Sequence, residues 1–285
     1  MEFLNSSSQH PQQLSLILGF FDGIHAGHQS VVKNAINDKK ILITFTNSPA
    51  EYFQEDFSYI YSRKFNYSLL ESLGIDYIYE QNFSNIAKMS AEEYLTMLIN
   101  KFNPVSITTG FNHSFGAMRR GNSDFLESHQ TSYKYCYTPP TKIENTVVSS
   151  TTIKNFLANG DFNSASKFLT RNFSIESTVI KGIQLGRKLG FPTANLKYPE
   201  NIVKIPYGVY KIKVFDKPAI LNWGIKPTFE EKEEILEIHI PNFASNLYNQ
   251  TIRFEILSKI RDEQKFKDIN ELKLQIEKDI EECLK

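Results

Sequence analysis

A chain of 285 residues is longer than an average domain and can bury at least one sizeable core, so two domains are expected. Hydrophobic residues at 41% and charged residues at 22% are ordinary globular proportions and exclude the disordered and fibrous classes. Lys plus Arg number 32, as do Asp plus Glu, and the zero net charge removes the electrostatic argument for a nucleic-acid or membrane-surface partner.

From the start, Met1 to Gln13 is rich in Ser and Gln and reads as a flexible lead-in. Leu16-Ile17-Leu18 is a buried-strand pattern running into the glycine-rich turn Gly19 to His28, and Gln29 to Ile36 follows with apolar residues at helical spacing. His25 and His28 therefore fall at a strand-to-helix turn, where free N–H groups and the helix dipole favour phosphate. Lys39 to Thr46 is a second strand, ending at Asn47-Ser48-Pro49. Tyr61 to Leu73 is helical and stops at Gly74, and Ile75 to Tyr79 alternates like a strand. Ser90 to Glu93 opens a helix with a capping-box pattern, and Val105 to Thr109 is a strand ending at Gly110. Strands alternating with helices imply an open, largely parallel sheet, in which ligands bind beyond the carboxyl ends of the strands. The histidine turn and the Gly110 loop both fall there.

After Ser149-Ser150-Thr151-Thr152, the stretch Ile153 to Leu169 reads as two short helices divided by Asn159-Gly160-Asp161. Beyond it the chain turns β-rich, with strands at Ser174–Ile180, Gly208–Phe215, Ala219–Asn222, Ile235–Ile240 and Thr251–Leu257, the pattern of a small antiparallel barrel. A last helix, capped by Asp268 with Glu271, presents the stripe Ile269, Leu272, Ile276, Ile280 and Cys283 to that barrel. Cys136 and Cys283 lie far apart without metal-type spacing, and the N-terminus lacks a signal-peptide pattern, so a reduced cytoplasmic setting is expected. No apolar run approaches roughly 18 residues, so no membrane span is expected.

Taken alone, His25 and His28 could be metal ligands or turn residues that satisfy backbone groups, and HxxH is a weak zinc signal. Gly19 to His28, however, resembles the GxFDGxHxGH signature of the bacterial FAD synthetase branch of the nucleotidyltransferases. Val148 to Lys154 is similar to the ISSTxIR signature of the same superfamily, and Gly182 to Asn195 resembles the GxxxGRxLGFPTAN segment of bacterial riboflavin kinases. Pro206 to Tyr210, Asn222 to Phe229 and Arg261 to Phe266 follow in that family's order.

The resemblance implies an α/β Rossmann-like nucleotidyltransferase domain over 1–168 and a small antiparallel β-barrel riboflavin kinase domain with a C-terminal helix over 169–285. It implies that riboflavin is phosphorylated to FMN and FMN adenylylated to FAD, with ATP as co-substrate and Mg²⁺ as cofactor. In the first domain it assigns His25 and His28 to catalysis, and Gly19, Phe20, Asp22, Gly27, Asn112, Ser149, Ser150, Thr151 and Lys154 to substrate binding. In the second it assigns binding to Gly182, Gly186, Arg187, Pro192, Thr193 and Asn195, with Mg²⁺ at Thr193 and Asn195. Strand alternation places Glu237 and His239 on the face opposite Leu236, Ile238 and Ile240. The resemblance makes Glu237 the base for the ribityl 5′-hydroxyl, while His239 keeps the reading of a solvated polar residue. Departures fall in the first domain: Thr44 to Pro49 lacks the family's histidine, Gly110 to Gly116 carries Asn112 and His113 for an aspartate and an aromatic, and Lys154 stands for arginine. A single-activity relative and a flavin-sensing binding protein are the alternatives.

Overall fold

The computed structural model describes residues 1–5, 11–36, 39–54, 56–182, 186, 189–227, 232–243 and 245–285. They form two compact units, Met1–Thr152 and Ile153–Lys285, so the expected boundary at 168/169 lies a helix pair beyond this division.

The first unit is a six-stranded parallel sheet of β1 (Glu2–Leu4), β2 (Ser15–Leu18), β3 (Lys40–Phe45), β4 (Tyr77–Gln81), β5 (Ser106–Gly110) and β6 (Lys134–Thr138), in the order β1-β4-β3-β2-β5-β6. Its helices are α1 (Ala26–Asn34), α2 (Pro49–Tyr52), α3 (Arg63–Ser72), α4 (Phe83–Ile86), α5 (Ala91–Phe102) and α6 (Ser123–Ser128), and a hairpin joins β7 (Lys142–Ile143) to β8 (Thr146–Val147). Strand alternation sends Ile17, Leu42 and Ile78 into one core with Val31 and Val32 of α1. Leu16, Leu18, Ile41, Ile43 and Ile107 enter the other with Leu95 and Leu98 of α5. Both faces are covered, as a parallel sheet requires. The capping box at Ser90 and Glu93 forms as its spacing predicts.

One expectation fails at the N-terminus: Glu2–Leu4 is the edge strand β1, parallel to β4, and the terminal ammonium is paired with Glu71 at 2.7 Å. Leu4 is buried against the sheet, which holds a segment whose composition alone looked mobile.

The second unit includes most of α7 (Ser150–Ala158), then α8 (Phe162–Leu169) and a closed antiparallel barrel. Its strands are β9 (Ser174–Ile180), β10 (Ala194–Leu196), β11 (Gly208–Val214), β12 (Lys217–Pro227), β13 (Lys232–His239) and β14 (Thr251–Arg261), in the cyclic order β10-β13-β12-β11-β14-β9. Among the described residues each strand of the barrel has a neighbour on both sides. Tyr210, Ile212, Leu221, Trp223, Leu236, Ile238, Phe254 and Ile256 are buried. Trp223 satisfies its indole N–H on the Ile205 carbonyl at 3.0 Å.

The last helix, α9 (Ile269–Leu284), is capped by Asp268 as expected, and Cys283 is buried with its thiol on the Ala219 carbonyl at 3.3 Å. Ile269 departs from the expected stripe: it is 63% exposed, because the helix is docked from its C-terminal half. That docking rests on Arg261, whose Nε and Nη2 donate to the buried Asp279 carboxylate at 2.9–3.1 Å, with Gln275 adding a third donor at 2.8 Å.

Removing Asp279 strands a guanidinium that is only 19% exposed. Asp279→Ala should therefore lower barrel stability by about 2–3 kcal/mol, somewhat below the cost of breaking a fully buried pair. Urea melts followed by the fluorescence of Trp223, the chain's one tryptophan, measure this; an unchanged midpoint contradicts it.

Candidate active sites

In the first unit the strand order reverses at β2 and β5, and a cavity of about 300 Å³ lies beyond their carboxyl ends. Its wall is formed by Gly19, Phe20, Phe21, His25, Gly27 and His28 after β2, by Gly110 to Ser114 and Arg119 after β5, by Thr138, Pro139 and Thr141 after β6, and by Val148 to Thr151. Of the residues singled out in this half, Gly19, Phe20, His25, Gly27, His28, Asn112, Ser149, Ser150 and Thr151 are brought together here. Asp22 and Lys154 are not on this wall. Asp22 is buried behind it, its carboxylate accepting the Ile60 N–H at 2.9 and 3.2 Å, and Lys154 lies one helical turn beyond Ser150 in the second unit.

The histidines owe their geometry to the turn. His25 is the N-cap of α1, and its Nδ1 accepts the His28 N–H at 3.2 Å, so Nε2 carries the proton of the neutral ring. Gly27 leaves room for this folding back: a Cβ there would sit 3.1 Å from His25 Cε1, a tight contact. The His28 ring stacks between Phe21 at 4.5 Å and His25 at 3.6 Å. Burial first, and the charge of His25 second, hold the His28 imidazole well below its usual value, so it is neutral at pH 7. Its Nδ1 is buried without a partner. Ser149 caps α7 through the Thr152 N–H at 3.1 Å, and Ser150 donates to the Asp22 carbonyl at 3.0 Å, which ties the second signature to the first.

One wall residue, Arg119, escaped the sequence reading, and another, His113, was noted there only as a departure from the family's loop. Arg119, a charged side chain of the wall, follows Met118 with both residues at φ +59. Gly116 makes this loop possible at φ +71, and a Cβ there would lie 2.7 Å from Ala91 N. An arginine pair between two glycines was the available signal. His113 also faces the site, with Nε2 unpartnered, and burial pushes its imidazole down to about 4.

The second site lies on the barrel wall. Asn195 on β10 is the register partner of Glu237 on β13, which in turn faces Asn222 on β12, so the three share one face. Leu236 and Ile238 point to the opposite, buried side, as their alternation predicts. Two glycines form a cradle: a Cβ at Gly182 would lie 2.3 Å from the Asn195 Cγ, and one at Gly186 would lie 3.3 Å from the Thr193 hydroxyl. The Phe191 N–H donates to the Gly186 carbonyl at 2.8 Å, and His239 Nδ1–H donates to the Pro192 carbonyl at 2.9 Å. His239 thus holds the Pro192 carbonyl rather than being merely solvated. Arg187 lies outside the described residues, as do Thr228 and Phe229.

Residues 7–152 match the family model described as FAD synthetase, and residues 169–285 match the one described as riboflavin kinase. The chain belongs to the bifunctional riboflavin kinase/FMN adenylyltransferase family. Curated proteins of that name include one from Buchnera aphidicola (subsp. Schizaphis graminum), 36% identical over 93% of this chain and 91% of its own length. Others come from Bacillus subtilis (31% identical; 95% and 91%) and Haemophilus influenzae (30%; 98% and 96%). A crystal structure titled as a macrolide-efflux protein from Streptococcus pneumoniae superposes with a TM-score of 0.86 at 27% identity, covering 96% of this chain and 94% of that one. Among the described residues no helix is long and apolar enough to cross a membrane.

His28 and His113 both bind a proton less tightly folded than unfolded, so below about pH 6.5 the unfolded chain holds more protons and stability falls with pH, down through the folded values. His113→Phe should remove about 1–3 kcal/mol of that acid-side loss. Urea melts of parent and variant at about pH 7 and 4.5 test it; an equal drop in both proteins contradicts it.

Proposed function

We propose that this chain carries out both reactions of its family. The second unit passes the γ-phosphoryl of ATP to riboflavin, giving FMN and ADP. The first transfers AMP from a second ATP to the FMN phosphate, giving FAD and pyrophosphate. We draw the division of labour at 168/169, where the riboflavin kinase match begins. The reading is carried by the register pairing of Asn195 with Glu237 over the two-glycine cradle, alongside a separate cavity that gathers both transferase signatures.

In the kinase site, Glu237 takes the proton of the ribityl 5′-hydroxyl as that oxygen attacks phosphorus. Thr193 and Asn195 offer neutral hard oxygens, and the cradle leaves them free of bulk on the Gly182 and Gly186 side, a donor set that suits Mg²⁺. Bound there, the ion would neutralise charge on the phosphate oxygens. Gly182, Gly186 and Pro192 shape the loop around the nucleotide, and Arg187 adds a guanidinium for its phosphates.

In the transferase site, the α1 N-terminus, Ser149, Ser150 and Thr151 bind the triphosphate, with Arg119 as a cation on the wall. Gly19, Phe20, Gly27 and Asn112 shape the nucleotide pocket, Asp22 supports the turn from behind, and Lys154 adds charge one turn along α7. His28 starts neutral; an arriving anion raises its affinity for a proton, so it meets the charge that develops at the α-phosphorus, with His25 stacked beside it. We place the protein in the cytoplasm, with small-molecule flavins and ATP as its partners and no nucleic acid.

Glu237→Gln should lower FMN formation from riboflavin by about 10²-fold or more and spare FAD formation from supplied FMN, whereas His28→Ala should do the reverse. Chromatographic separation of flavins decides this. Loss of both activities in either variant, or retention of both, overturns the assignment.

A further inference from the structure

We infer that Asn66 is a positioning residue for adenylyl transfer, acting on His25 through the backbone of the turn before it. This rests on the transferase reading above. Ile24 has φ +43, a conformation that β-branched residues adopt only under constraint. Its side chain is fully buried with Ile17, Leu42 and Ile78, and the polar groups around it are held one by one. The Asp22 carbonyl accepts from Ser150, the Ile24 carbonyl accepts from Gln29 Nε2 at 3.1 Å, and the Gly23 N–H donates to Asn66 Oδ1 at 3.0 Å.

Asn66 is only 5% exposed, on α3, and the first unit's cavity is not lined by it. Its Nδ2 reaches the Tyr61 carbonyl at 3.5 Å, and the adjoining Ile60 N–H is the group that the Asp22 carboxylate holds. A ring of contacts therefore runs Gly23, Asn66, Tyr61, Ile60, Asp22. Ile60 also packs where a Cβ at Gly23 would lie 2.7 Å from its Cδ1, so the turn cannot slide toward α3. Without the Asn66 oxygen, a buried N–H loses its acceptor and the strained Ile24 gains a way to relax. His25 is the next residue, and its ring sets the stacking and the N-cap that fix His28.

The test compares Asn66→Leu, which removes the acceptor at similar volume, with Asn66→Asp, which keeps it, both in the full chain. FAD formation from FMN, FMN formation from riboflavin, and the imidazole NMR signals of His25 and His28 are read on each preparation. For Asn66→Leu, kcat for FAD formation should fall at least about 10-fold with KM for ATP within about 3-fold, and riboflavin phosphorylation should stay at the parent rate. Asn66→Asp should return kcat to within about 3-fold of the parent. A leucine variant with parent kcat, a rise in KM alone, or an aspartate variant as impaired as the leucine one would each sink the inference. If the parent forms no FAD, the transferase reading falls, and the imidazole signals decide alone: shifted in Asn66→Leu they uphold the positioning, unshifted they reject it. Should the leucine variant lose both activities and its fold, Asn66→Ala is judged by the same criteria.

Discussion

A strand buried on both faces must be apolar or have its polar groups paired, and β2 is that strand: Leu16, Ile17 and Leu18 are apolar, the Ser15 hydroxyl is paired with that of Ser106 at 2.7 Å, and β3 lies on one side and β5 on the other. Because the chain leaves β2 toward β3 and later returns to β5 on the opposite flank, the loops after β2 and β5 turn apart and leave a crevice. Residues of both signature stretches of the first unit line that crevice. The turn from Asp22 to Ile24 must reverse within a few residues to start α1, which puts Gly23 at φ +85 and strains Ile24. Such strain costs about 1–3 kcal/mol. Full burial of the Ile24 side chain contributes a similar amount, so the turn is held mainly by the same apolar core that holds the sheet.

The two units gather their candidate site residues by different means. In the first, the groups sit at helix starts: His25 caps α1 and Ser149 caps α7, and both residues line one cavity. In the barrel, strand register does the placing. Asn195, Glu237 and Asn222 come from three strands, β10 and the consecutive β13 and β12, and stand in one row because antiparallel partners face the same way. Closure of the barrel is what fixes that register, and the Arg261–Asp279 pair secures α9 against the wall that carries it.

Much of this was legible in the residues. Periodicity found β2 to β5, α5, α7, α8 and most of the barrel, and the motifs pointed to Glu237 and the histidines as candidates. What it missed has physical reasons. β1 is three residues long and gains its place only by pairing with β4. β10 is equally short, so Asn195 was recognised by its motif before any strand was seen around it. The turn Phe215-Asp216 between β11 and β12 has φ +50 and +56 without a glycine, so no local signal marked it. Asp22 looked like a substrate contact because it sits in the motif, yet its carboxylate faces Ile60. A motif records which residues a site needs and leaves open which way each one points.

The electrostatics of the first cavity follow from the same packing. Stacking His28 between Phe21 and His25 removes water from its ring and brings a second imidazole to 3.6 Å. Both effects disfavour the cation, so at neutral pH the wall presents two uncharged histidine rings, His28 and His113, with Arg119 beside them. A histidine charged in the absence of ligand would bind any passing anion and would already be solvated by it. One kept neutral by desolvation gains a proton only when a strong negative charge comes close, and the benefit then is greatest where that charge is most concentrated. For phosphoryl chemistry that point is reached along the reaction and not in the ground state. The buried Nδ1 of His28, without a partner in the fold, is the expense of this arrangement.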